Sequence, residues 1–165
     1  MSNADKIEGA DAADWDAIEE ATELLHEERF YEALVFLRDV IKANPKNAYA
    51  FHFLGVALYE TGELEAARDA YRASVARAPQ YLGARVALSH VLRQMGDTRE
   101  ALREGMAALA QVPGDPDALH SIGLTYLARD DKAAARKYLE AFLASGPEVE
   151  VAEEVRAMLV GEEMN

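Results

Sequence analysis

Residues 48–81 read AYAFHFLGVALYETGELEAARDAYRASVARAPQY. Phe51, Leu54, Gly55 and Leu58 recur at spacings that put them on one face of a helix. Thr61-Gly62 then interrupts the pattern, because glycine readily takes the positive φ of a tight interhelical turn. A second helical stretch follows and stops before Pro79, since proline lacks an amide hydrogen and biases the preceding residue away from helix. The same stop returns at Pro45, Pro113 and Pro147, always 34 residues on, and each proline lies 12 residues after an alanine: Ala33, Ala67, Ala101 and Ala135. A fixed period of a few tens of residues signals a solenoid built by stacking one helical unit.

Working outward from this stretch, four units are expected at about 14–47, 48–81, 82–115 and 116–149, so that repeats fill residues 14–147. An acidic arm, residues 1–13, precedes them. A capping helix over 149–160 and a loose tail, 161–165, follow; the cap covers an apolar flank that the last unit would otherwise expose. The first helix of the first unit is expected to run on from Asp14, with Ile18, Ala21, Leu24 and Leu25 on one face. Asp115 before Pro116 reads as a helix cap with proline at the first helical position.

Composition narrows the function. The chain has 165 residues, half of them apolar, and no cysteine, which excludes disulfides and thiolate zinc sites. The formal charge of −13 is concentrated at the ends. Residues 1–30 and 140–165 carry most of the excess acid, whereas 31–139 is near neutral. Polar ends keep a solenoid soluble; an acidic end can also receive a basic partner. No basic face is visible, so nucleic acid is not an expected partner. No apolar run approaches the roughly 18 residues of a membrane span, and Met1 to Asp16 is acidic where a secretory leader needs a basic start. The expectation is therefore a cytoplasmic protein without a membrane partner.

With this pattern in place, the chain resembles the tetratricopeptide repeat family. The second unit matches its preferred residues at Phe51, Leu54, Gly55, Leu58, Gly62, Ala67, Tyr71 and Pro79, and the fourth at Leu119, Ile122, Gly123, Tyr126, Ala135 and Pro147. The resemblance implies an all-α fold, a right-handed α-solenoid of four helical hairpins plus the C-terminal capping helix. Gly55, Ser89, Gly123 and Ala21 are expected to face the alanine row, small residues on both helices permitting close approach. Gly62 and Gly96 suit the turn, Asp130 is an acceptable substitute, and Glu28 is a poor one. Among the departures, Glu20 replaces the usual leucine, and Gly105 stands where an aromatic is usual. Phe142 replaces a small residue and should push the capping helix outward.

The resemblance further implies a concave groove lined by the first helices and holding an extended peptide or a helix of another protein. Its expected lining is Ile18, Thr22, Leu25 and His26, then Tyr49, His52, Val56 and Tyr59, then Val86, His90 and Arg93, then His120, Leu124 and Leu127. All four histidines fall on this surface. First helices about 10 Å apart cannot bring three imidazoles to the roughly 2.1 Å that zinc needs, so no metal and no cofactor is expected. No nucleophile, phosphate loop or paired carboxylate stands out, so no catalytic residue is named and a non-enzymatic adaptor is expected. Two alternatives remain. One is a chaperone resembling those of type III secretion translocators, although this chain lacks their characteristic Phe-His-Ala-Ala-Glu-Cys stretch. The other is a homo-oligomer, such as a homodimer, with Phe142 and the last helix as its seam.

Overall fold

The structure, a computed structural model, describes residues 12–163. Most of the expected arm and the end of the expected tail lie outside the described residues. Every regular element among these residues is an α-helix. In order they are α1 (Ala12–Asp16), α2 (Glu19–His26), α3 (Phe30–Ala43), α4 (Ala48–Glu60), α5 (Leu64–Arg77), α6 (Leu82–Gln94), α7 (Thr98–Gln111), α8 (Pro116–Ala128), α9 (Lys132–Ala144) and α10 (Val149–Glu163). The chain divides into two compact units, residues 1–91 and 92–165, and the division falls inside α6.

The turn inside each hairpin follows one rule. Glu28, Gly62, Gly96 and Asp130 have φ of 58°, 82°, 84° and 58°, so the left-handed conformation recurs every 34 residues. The amide after each closes back onto the preceding helix: Arg29 N to Leu24 O, Glu63 N to Leu58 O, Asp97 N to Leu92 O and Asp131 N to Tyr126 O, all at 2.8–3.0 Å. This six-to-one bond satisfies a carbonyl that the helix end would leave unpaired. The turn into the next helix is fixed by side chains. Asn47, Asp97, Asp115 and Asp131 each accept a hydrogen bond from the amide three residues on. Before the first three lattice prolines, Asn44, Ala78 and Val112 have φ of −140°, −138° and −129° and leave the helical region, as proline requires of its predecessor.

In the first unit the alanines of the lattice, Ala33 and Ala67, are fully buried. The close approach that the small residues permit also brings a large side chain against the first helix. A Cβ built on Gly55 would lie 2.5–2.9 Å from the ring of Tyr71, one turn beyond Ala67. Ser74, also buried, donates to the Ala48 carbonyl at 2.7 Å, which satisfies its hydroxyl in the core. The N-terminal helix differs from the single helix expected from Asp14: it breaks at Ala17-Ile18 into α1 and α2. Ile18, with φ −110° and ψ 0°, belongs to neither helix and is fully buried. The break lets α1 lie on α4, with Trp15 edge-on to Tyr49 at 5.0 Å and to Phe53 at 6.0 Å. Asp14 anchors it: its carboxylate accepts from Asn44 and its carbonyl from Asn47, both at 2.9 Å.

The second unit repeats the packing. Ala101 and Ala135 are fully buried, Gly105 is buried in α7, and a Cβ on Gly123 would lie 2.6 Å from Leu139. Phe142 does not push α10 away. It is 5% exposed and forms part of the floor on which Val155 and Leu159 of α10 pack, together with Leu119 and Leu139. That burial removes it as the seam of an oligomer. Rather than ending at Val160, α10 continues to Glu163, so the first part of the expected tail is helical.

Glu28 and Asp130 are the exposed, non-glycine members of the turn series; a left-handed conformation costs a Cβ-bearing residue roughly 1–2 kcal/mol, and glutamate tolerates it less well than aspartate. Glu28→Gly is expected to raise stability by about 1 kcal/mol. For a chain of this size that is a rise of about 2–4 °C in Tm, measured by thermal denaturation. Glu28→Val should lower it.

Candidate functional site

The first helix of each hairpin has a side turned away from its own second helix, and the expected lining residues divide there into surface and core. In the first unit, Thr22 and Leu25 on α2, His52, Val56 and Tyr59 on α4, and Val86 and His90 on α6 are half-buried, while His26 is exposed. Two expected residues do not belong with them. Ile18 is 0% exposed because the α1–α2 break turns it into the core, and Tyr49 is 3% exposed because Trp15 and Tyr81 enclose its ring at 5.0 and 5.4 Å. Neither can offer surface to a partner.

The half-buried set is organised by aromatic contacts. Tyr59 on α4 and His90 on α6 share a hydrogen bond of 2.9 Å between the phenol oxygen and Nε2, with ring centres 5.3 Å apart. This pair joins two first helices at the surface and leaves a polar edge beside the apolar Val56. His52 sits among the rings of Phe53, Tyr71 and Tyr81 at 4.9, 5.7 and 5.0 Å, so its imidazole is partly a core element. Thr22 turns its hydroxyl back to the Glu19 carbonyl at 2.7 Å. Arg77 of α5 lies over the Phe51 ring at 4.0 Å. Tyr81, at the end of the second repeat, was not among the expected site residues, yet it shapes the positions of both Tyr49 and His52.

In the second unit, Arg93 at the end of α6 and His120, Leu124 and Leu127 on α8 are half-buried. Leu124 and Leu127 pack partly against the core beneath α10. His120 stacks on Phe142, with ring centres 4.5 Å apart and planes 16° from parallel. Burial holds its imidazole below the usual histidine range, and the positive charge of Arg93 adds to that effect against the opposite pull of Asp117 and Glu154. A neutral, flat imidazole is the form that stacks best on an aromatic ring without losing hydration.

Among the described residues, no group of three His, Asp or Glu side chains is placed to hold a metal ion, and no helix is long and apolar enough to cross a membrane. What the arrangement supplies is contact area with hydrogen-bonding edges: aromatic rings, aliphatic side chains, imidazoles and one guanidinium. Such surfaces recognise other polypeptides.

Comparison with known proteins agrees with this fold. The chain matches no curated protein sequence. Among solved structures it is similar to MamA (24% identity, TM-score 0.72, covering 88% of this chain and 81% of that one). It is also similar to TTC0263, a thermophilic tetratricopeptide repeat protein of Thermus thermophilus (23% identity, TM-score 0.72, covering 92% and 81%). A third similar structure is PilW, described as a widely conserved type IV pilus biogenesis factor (18% identity, TM-score 0.81, covering 93% and 72%). At these identities the likeness is one of fold. The tetratricopeptide repeat sequence profile matches residues 18–81 and 86–150. Lattice, turns and profile agree: the chain belongs to the tetratricopeptide repeat family.

Proposed function

We propose that the protein is a non-enzymatic adaptor that holds an extended peptide or a helix of a partner protein on the surface of its first helices. The observation that carries this reading is the Tyr59–His90 pair. It places a phenol and an imidazole, hydrogen-bonded to each other and half-buried, beside the aliphatic Val56 on adjacent helices. Aromatic residues with a polar tip are the usual anchors of protein interfaces, because they bring large area for few rotatable bonds. On the second unit, His120, Leu124 and Leu127 supply a similar mixture. A role as chaperone or assembly factor is the second reading, favoured by the fold likeness to PilW, a pilus biogenesis factor. It uses the same surface and differs in the fate of the bound partner, which would be released once secreted or assembled.

Affinity capture from the native source with wild type and with Val56→Glu/Tyr59→Ala tests the surface. Partner recovery is expected to fall at least about tenfold, the effect of losing an anchor worth about 1–2 kcal/mol or more. Circular dichroism should show an unchanged fold. Retention of every partner by the double variant would move the search to another face.

The reading also predicts a pH dependence. His120 is held neutral, and cover by a partner adds to the same desolvation, so the bound form takes up protons less readily than the free form. Affinity for a partner on the second unit should therefore hold through the usual histidine range and decrease as pH falls below it. Titration calorimetry at stepped pH should show a flatter profile for His120→Gln. An equal slope in both proteins would exclude His120 as the source.

A further inference from the structure

The first hairpin has a second surface that the adaptor reading does not use. α4 packs on α2 and α3 within the first unit, and the opposite side of that hairpin carries an open depression of about 1000 Å³. Apolar side chains form part of its lining: Tyr31 is 73% exposed and Val35 62%, and Phe36 and Leu24 line it with them. Exposed apolar residues collected in one concave place mark interaction sites more often than scattered ones do. The same lining includes Glu19, Glu20 and Glu23 of α2 and Glu32 and Asp39 of α3. Glu20 stands where a leucine is usual in the repeat, so the apolar seat a neighbouring helix would need carries carboxylates instead. Arg29 is the one base among the lining residues, and it is engaged by Glu27 at 2.8 Å and Glu32 at 2.6 Å.

Charge decides between possible occupants. A second copy of the chain brings −13, and its exposed apolar residues on α10 (Val149, Met158 and Val160) are interspersed with Glu150, Glu153 and Glu154. Like charges would then meet across the contact. The preceding segment of this chain, residues 1–11, has three acids and one lysine and is no better matched. A basic partner has no such conflict, and an open depression lined by residues of α2 and α3, part apolar and part acidic, suits the two faces of an amphipathic helix. We propose that this flank of the first hairpin docks a basic amphipathic helix of a partner protein, its apolar stripe on Tyr31 and Val35 and its Lys and Arg residues against the carboxylates.

The test uses the full chain and two synthetic amphipathic helical peptides with leucine along one face. One carries lysine on the remaining positions and the other glutamate; binding is followed by fluorescence anisotropy. Wild type is expected to bind the lysine peptide and not the glutamate peptide. Glu19→Lys/Glu23→Lys and Val35→Asp should each weaken binding by at least about tenfold, whereas Glu150→Lys/Glu153→Lys on α10, with the same change in net charge, should weaken it by no more than about twofold. Val35 is largely exposed, so its replacement does not disturb the core, and circular dichroism verifies this. Three results would overturn the proposal: equal weakening by the α10 variant, indifference to Val35→Asp, or sedimentation showing a dimer that Val35→Asp dissolves. The last would make a second copy the occupant. Partner capture through Tyr59 and His90 is a separate readout on a separate face.

Discussion

In each unit a helix-interior glycine packs against a large side chain of the second helix too closely to admit a Cβ. Gly55 lies against the ring of Tyr71, and Gly123 lies against Leu139, at distances where a Cβ would need 2.5–2.9 Å. No ordinary packing accommodates that, so the glycine and its large partner set the helix separation together. The buried alanines one turn earlier, Ala67 and Ala135, fit into the narrow space that results. Glycine in a helix interior is unfavourable by about 1 kcal/mol relative to alanine, which makes its presence here a packing requirement rather than a conformational preference. The left-handed residues at 62 and 130 turn the chain between the two helices that make this contact.

Once that inner contact is fixed, the outer side of each first helix is free to vary, and binding chemistry accumulates there. The same geometry explains the difference between the two surfaces of the first hairpin. On one, α4 supplies the neighbour and Trp15 meets Tyr49 edge-on. On the other, glutamates share the lining with Tyr31 and Val35. A family defined by a packing rule can thus differ from member to member in everything that a partner touches.

The lattice of prolines and alanines, the hairpin turns and the strained Glu28 could be read from sequence because each depends on a local rule about φ, amide hydrogens or side-chain volume. Positions that depend on a distant neighbour could not. Tyr49 has the helical phase of a groove residue, but Trp15 and Tyr81, each more than thirty residues away, close over it. Ile18 sits in a continuous helical pattern, and its burial follows from a break that is stabilised by Asn44 and Asn47 holding Asp14. Phe142 looked oversized for its position because the pattern does not reveal that His120 stacks on it and α10 packs over it. The acidic lining was legible as composition, whereas its apolar part required knowing that Tyr31 and Val35 of α3 are exposed beside the glutamates of α2.

The central claim is that glycine and large side chain form one packing unit. A double-mutant cycle on Gly55→Ala and Tyr71→Leu, followed by urea denaturation, tests it directly. Alanine at 55 should destabilise the protein on its own, since its Cβ would meet the buried Tyr71 ring at 2.5–2.9 Å. With leucine at 71 much of that penalty should vanish, giving a coupling of about 1 kcal/mol or more. Strictly additive effects would contradict the account and place the origin of the helix separation elsewhere.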